Sequence, residues 1–316
     1  MVYLCLILGF ICLIYGGDTL VTGSVKLARR MGVSPLLIGL TLVGFGTSTP
    51  ELITSLLAVY KGSADIAVGN VIGSNTANIL LVLGVAIVLN PIPVDLKAFK
   101  RDGLFLFIAT LGLIIGVYLG EIHFLLGLIL TGTLLFYVVY SYFSDKKAQS
   151  SLKSENEISD EKQSRWIVAL LQTIIGIGLT LLGAKLLVDS AIELAKQWQV
   201  SEKVIGLTIV AVGTSLPELI TSIMAGIRKQ NDVAFGNVLG SNIYNALFIL
   251  GVTALFMPIH IANGLKQDLW MMVATTLALI AIALLKKNFS RLTGILFLVA
   301  YVLYTLFLFC ARQGGL

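Results

Sequence analysis

Charge is what this 316-residue chain has least of: Asp, Glu, Lys and Arg make up 12% of it, about half the ~25% of soluble domains. With 57% of its residues hydrophobic, the chain cannot build a water-facing surface and reads as an integral membrane protein. Cysteine is scarce as well. Cys5, Cys12 and Cys310 all lie in apolar runs, which excludes a disulfide or zinc framework and leaves them as small core residues. The two histidines, His123 and His260, fall near outer ends of apolar runs, so zinc or copper transport is excluded for want of nitrogen and sulfur ligands. No nucleophile stands with a base partner and no redox motif occurs, so no enzyme and no cofactor are expected.

Long apolar runs are abundant. Stretches able to cross ~30 Å of hydrocarbon as helix lie near 2–17, 34–59, 66–90, 103–120, 122–143, 166–187, 204–227, 233–257, 268–285 and 293–311. The alternating segments of about ten residues that a membrane barrel needs are missing, so the spans are helices. The first run starts at Met1 with no basic leader and no small-residue cleavage site, and is expected to be a retained span.

The chain also repeats itself. Residues 33–86 return as 200–253 at a fixed offset of 167, with 30 of 54 aligned positions identical and no gap; such a self-match defines the structural unit. Five spans fall in each copy. An odd number reverses the entry side of the second copy, so the fold expected is all-α, ten transmembrane helices arranged as two inverted-topology five-helix repeats. The first covers 1–143, the second 166–316, and the polar stretch 144–165 between them (SDKKAQSSLKSENEISDEKQSR) reads as a flexible cytoplasmic linker. With both termini outside, 16 of the 22 Lys and Arg residues lie on the inner side, as the positive-inside bias requires. That bias accounts for the net charge of +5 without a nucleic-acid partner.

Each copy puts a glutamate into an apolar stretch: GTSTPELITS at 46–55 and GTSLPELITS at 213–222. A charged side chain in a bilayer costs roughly 2.5 kcal/mol or more and persists where it serves a pathway, so Glu51 and Glu218 are the expected working centre. On a helix, Thr47 and Ser48 share a face with Glu51, and Thr214 and Ser215 with Glu218. Pro50 and Pro217 remove an N–H and disturb the carbonyls of Gly46 and Gly213, predicting helices broken at membrane depth. GNVIGSNTANIL at 69–80 and GNVLGSNIYNAL at 236–247 align Ser74 with Asn78 and Ser241 with Asn245. Two carboxylates with hydroxyl, amide and carbonyl oxygens suit a hard cation taking six to eight oxygens, Ca²⁺ or the similarly sized Na⁺. Gly39, Gly73, Gly206 and Gly240 are expected to serve close helix packing, Asp65 and Asp232 to be helix N-caps, and Thr54, Ser55, Thr221 and Ser222 to divide between packing and support of the site.

These paired blocks, duplicated and inverted, resemble the alpha repeats of the cation/calcium antiporter superfamily, and nearly the whole chain is similar to its compact prokaryotic sodium/calcium exchangers. The resemblance implies four clustered ion sites. By motif position it implies as ligands Glu51, Glu218, Thr47, Ser48, Thr214, Ser215, Ser74, Ser241, Asn78 and Asn245, with backbone carbonyls near Gly44 and Ala211. It further implies an electrogenic Na⁺/Ca²⁺ antiporter working by alternating access as a monomer in the prokaryotic plasma membrane, with Na⁺, Ca²⁺ and lipid as its only partners. Asn245 departs from the aspartate of the potassium-dependent branch, which disfavours K⁺ co-transport; where the second copy has Ala211 the first has Gly44, predicting a looser backbone there. The first span of each copy, glycine-rich and without polar ligands, is expected to slide past a fixed four-helix core. An H⁺/Ca²⁺ exchanger using the same glutamates is the alternative. A channel fits the matched prolines less well, and an organic-anion symporter lacks a basic residue at either motif.

Overall fold

A computed structural model of the chain describes residues 2–152, 166–198, 213–261 and 263–313. The helices in chain order are α1 (Val2–Met31), α2 (Pro35–Thr47), α3 (Thr49–Tyr60), α4 (Ala64–Leu89), α5 (Leu96–Leu119), α6 (Phe124–Leu152), α7 (Trp166–Gln197), α8 (Leu216–Ile227), α9 (Asn231–Phe256), α10 (Lys266–Lys286) and α11 (Arg291–Gln313). Among the described residues, eight helices are long and apolar enough to cross a membrane, and nine if the bent pair α2–α3 is one span. The first part of the expected seventh span 204–227, residues 204–212, lies outside the described residues.

Burial ranks the helices. The apolar windows of α4 and α9 are 78% and 83% buried, against 33% for α1 and α7 and 17% for α11. The two helices carrying the GNV blocks are therefore the centre, and their Val71, Ile72, Ile79, Val238, Leu239 and Ile243 anchor the main core. On the outside, Leu8, Ile11, Leu128, Phe136, Leu303 and Phe307 stay exposed. Such a continuous apolar surface is stable against lipid and not against water.

Two small antiparallel pairs brace the ends. β1 (Ile92–Pro93) pairs with β4 (Asn288–Phe289), and β2 (Glu121–Ile122) with β3 (Ile259–His260). Adding 167 to β1 gives β3, and adding it to β2 gives β4, so each ladder joins a strand of one copy to the non-equivalent strand of the other. Gly120, at φ 75°, makes the left-handed turn that ends α5 and lets β2 begin, where glycine carries no Cβ penalty.

Several expected boundaries move. α1 does not stop at 17 but runs on through Gly16, Gly17 and Asp18 to Met31, so Lys26, Arg29 and Arg30 lie on its last turns rather than in a loop. Glycine is needed at 16 for contact rather than for a break: a Cβ there would stand 2.6 Å from the Thr180 nitrogen on α7. α1 and α7 thus lie backbone against backbone along their length, a single pair rather than two separate helices each bordering a core. α7 likewise continues past 187 to Gln197.

α6 runs to Leu152, into the stretch read as linker. Asp145 fastens the extension: it accepts the Ser34 N–H at 2.6 Å and the Ser34 hydroxyl at 2.9 Å, while Ser34 caps α2 through the Leu37 N–H at 3.2 Å. The remainder of the linker, 153–165, lies outside the described residues.

Asp65 and Asp232 are not N-caps. Ser63 and Gln230 hold those positions, and the two acids lie in the first turns of α4 and α9, where they complement the helix dipole.

Candidate functional site

Each PEL motif begins a new helix. α2 and α3 meet at Ser48 with a bend of 44°, where Ser48 leaves helical geometry at φ −82°, ψ 8°. Ser215 repeats it at φ −88°, ψ 6° ahead of α8. The prolines fall in the first turn, where a missing N–H does no harm. Glu51 and Glu218 therefore sit in the first turns of α3 and α8, each only 1% exposed, where unpaired amide groups and the positive end of the dipole favour an anion.

The bend also turns the hydroxyls away from where a straight helix would carry them. The Ser48 hydroxyl donates to Glu218 Oε1 at 3.1 Å, across to the other copy, and the Ser241 hydroxyl approaches the same oxygen at 3.4 Å. The Thr47 hydroxyl lies 3.1 Å from the Val43 carbonyl and 3.2 Å from Asn237 Oδ1. Thr47 and Ser48, expected beside Glu51, thus reach the opposite motif. Ser48, three residues before Glu51, links the Glu51 motif directly to the Glu218 carboxylate.

Asn78 and Asn245 each open a π-helical turn, Asn78–Leu83 and Asn245–Ile249, a local widening common at functional sites. Asn78 Nδ2 donates to Asn242 Oδ1 at 3.1 Å, and Asn245 Nδ2 to Asn75 Oδ1 at 3.0 Å. That leaves the amide oxygens of Asn78 and Asn245 without a partner among the described residues, together with Glu51 Oε2, Glu218 Oε2, Thr214 Oγ1 and Ser215 Oγ. Six buried oxygens without donors would be destabilising in a finished core. They match the donor set of a hard cation. Among the described residues no group of three or more His, Cys, Asp or Glu could hold a metal, so the site has two carboxylates and otherwise neutral oxygens.

Ser74 is buried one turn before Asn78. The Gly44 carbonyl already accepts the Ser48 N–H at 3.1 Å and lies 3.4 Å from the Thr47 hydroxyl. Nor is the backbone loose there: a Cβ on Gly44 would meet the Ser241 nitrogen at 3.0 Å, so glycine is kept by contact with α9. Gly39 and Gly240 belong to the same α2–α9 crossing, whereas a Cβ on Gly73 would meet nothing within 4 Å and the packing reading fails at that position. Ala211 and Gly206 lie outside the described residues.

Four asparagines escaped sequence reasoning. Asn70 Nδ2 lies 3.4 Å from the Glu51 carbonyl and 3.3 Å from the Ser55 hydroxyl; at the equivalent positions Asn237 donates to the Glu218 carbonyl at 3.2 Å and to the Ser222 hydroxyl at 3.1 Å. Each therefore ties a GNV helix to a PEL helix, and Ser55 and Ser222 support the site through them. Thr221 has its hydroxyl buried without a partner among the described residues. Asn75 and Asn242 are the acceptors for Asn245 and Asn78. Their identity inside the repeated GNV and GSN triplets was the available signal, since a buried amide must find partners.

The chain is similar to known proteins over most of its length. A family profile described as sodium/calcium exchanger protein matches residues 1–143 and 168–310. The chain is 32% identical to the sodium/calcium exchanger MaX1 of Methanosarcina acetivorans, over 97% of this chain and 98% of that one. It is 38% identical to the inner membrane protein YrbG of Escherichia coli, over 80% and 79%. Among solved structures it is similar to the sodium-calcium exchanger NCX_Mj, with a TM-score of 0.84 and 36% identity over 96% of this chain and 98% of that chain.

Proposed function

Because this chain belongs to the sodium/calcium exchanger protein family, we propose that it is a K⁺-independent, electrogenic antiporter that exchanges Na⁺ for Ca²⁺ between two inverted five-helix halves. The observation that carries the reading is the bond from Ser48 to Glu218, through which the broken helix of one copy reaches the carboxylate of the other. With it go the buried oxygens of Glu51, Glu218, Asn78, Asn245, Thr214 and Ser215 that have no partner among the described residues. The cations are cargo, held by those residues with Thr47, Ser48, Ser74 and Ser241 and the carbonyls near Gly44 and Ala211.

Charge supplies the coupling. With both glutamates ionised the cavity carries −2, and a low-dielectric barrier opposes its passage without cations. One Ca²⁺ neutralises it, while two Na⁺ competing for the shared oxygens neutralise it and a third takes it to +1, so either load removes the −2 and releases the switch between faces and the bare carrier is held back. If three Na⁺ exchange for one Ca²⁺, one net charge crosses per cycle, worth about 2.3 kcal/mol per 100 mV. The neutral Asn245 adds no third negative charge for K⁺ to balance. α1 and α7, packed through Gly16 and Gly176, form the pair that slides against the remaining helices. The crosswise ladders β1–β4 and β2–β3 support the inverted relation of the halves. The protein works as a monomer in the plasma membrane with both termini outside.

The test is ⁴⁵Ca²⁺ uptake into vesicles holding the purified protein, with Na⁺, K⁺ and H⁺ gradients imposed in turn. Uptake driven by Na⁺ alone, and increased by an inside-positive potential, is expected. Uptake that follows a pH gradient without Na⁺ transfers the assignment to an H⁺/Ca²⁺ exchanger.

A further inference from the structure

Two asparagines outside the proposed ligand set grip the two inside it. Asn75 Nδ2 lies 3.2 Å from the Asn242 carbonyl, and Asn242 Nδ2 lies 3.3 Å from the Asn75 carbonyl, a reciprocal pair between the two copies. That exchange fixes which end of each amide is which, and so leaves Asn75 Oδ1 to accept from Asn245 and Asn242 Oδ1 to accept from Asn78. All four residues are at most 4% exposed. The cation-facing amide of each half is therefore oriented by the other half.

Orientation matters because the two ends of an amide have nearly the same shape and opposite polarity. Rotated by half a turn, Asn78 or Asn245 would fit the same space and aim an N–H at the cation instead of an oxygen. With its NH₂ held by Asn242 or Asn75, each can offer only its Oδ1, which has no partner among the described residues. We propose that Asn75 and Asn242 are positioning residues which lock Asn245 and Asn78 with their oxygens toward the cargo, so that the site selects cations without adding a titratable group. The proposal rests on the antiporter reading above.

A carboxylate has two equivalent oxygens and needs no such lock, which supplies the test. In purified, monodisperse protein reconstituted into vesicles, Asn242→Leu keeps the side-chain size and removes the acceptor for Asn78. The half-saturating Ca²⁺ concentration for Na⁺-driven uptake, and for ⁴⁵Ca²⁺ binding to the detergent-purified protein, is expected to rise roughly tenfold, the effect of one lost hydrogen bond to a functional group. Adding Asn78→Asp to Asn242→Leu is expected to restore it in the binding measurement, where no charge has to cross the membrane. Asn78→Asp alone, facing the Asn242 oxygen, is expected not to improve on wild type. An unchanged half-saturation in Asn242→Leu, no recovery in the double variant, or an equal gain from Asn78→Asp in both backgrounds overturns the proposal. The pair Asn75→Leu and Asn245→Asp repeats the test in the other half if Asn242→Leu fails to fold. Absence of Na⁺-driven uptake in wild type faults the antiporter reading instead, and the binding arm still judges the lock.

Discussion

Arg228 clasps Asp18 with two parallel hydrogen bonds, Nε to Oδ1 and Nη2 to Oδ2 at 2.6 Å, joining the end of the helix that carries Glu218 to the middle of α1. The offset of 167 turns this pair into Lys61 and Lys185, two like charges. The tie therefore has no attractive twin, and α1 is fastened to α8 by a bond that the other half cannot copy.

If α1 moves during exchange, a covalent link at this clasp must stop it. With Cys5, Cys12 and Cys310 replaced by alanine, Asp18→Cys and Arg228→Cys joined by a short cleavable bis-maleimide should lose Na⁺-driven ⁴⁵Ca²⁺ uptake and regain it on cleavage. Uptake that persists in fully linked protein shows α1 to be static against α8.

The clasp itself should contribute little to folding. Its side chains are 45% and 32% exposed, and exposed ion pairs are worth about 0–1 kcal/mol because water and salt screen them. Arg228→Gln should thus leave the melting temperature in detergent within a few degrees of wild type. A large drop would mean that Arg228 holds the helices together in some further way.

Much of the centre could be read from residue types and spacing, because burying a carboxylate in an apolar run is costly and the same expense appears twice. Pro50 likewise announced the broken helix at Ser48, and Pro217 the start of α8, since a missing N–H acts locally. What stayed hidden depended on the three-dimensional path. The bend at Ser48 sends its hydroxyl to Glu218 rather than along its own helix, and the π turns at Asn78 and Asn245 follow no sequence period. α1 looked as though it ended at Gly17 because glycine and Asp18 resemble a stop. Only the partners, Thr180 for Gly16 and Arg228 for Asp18, explain why the helix continues.

Glycines divide by what a methyl group would strike. A Cβ on Gly16 would lie 2.6 Å from the Thr180 nitrogen and 2.9 Å from the Leu179 carbonyl carbon, backbone atoms that cannot rotate aside. Gly16→Ala should destabilise the protein by about 1–3 kcal/mol, the usual penalty of overpacking. Gly73→Ala, with nothing within 4 Å of the new atom, should match wild type or exceed it slightly, since alanine is the better helix former. Thermal unfolding followed by size-exclusion fluorescence separates the two, and equal behaviour would show that α1 and α7 can part at little cost.

Charge balance makes the sharpest demand on Glu51. Glu51→Gln nearly preserves shape and can still accept hydrogen bonds, but the cavity falls from −2 to −1. Each load then sits one charge more positive than in wild type, +1 with Ca²⁺ and +2 with three Na⁺, and the extra charge in the membrane interior costs roughly 2.5 kcal/mol or more, which is a rate lower by about seventyfold or beyond. Na⁺-driven ⁴⁵Ca²⁺ uptake should fall below detection, while Glu51→Asp, which keeps the charge and shortens the reach, should retain part of it. Near-normal uptake by Glu51→Gln would mean that neutralising two carboxylates is not what permits the crossing, and the coupling would have to come from the geometry of ion occupancy instead.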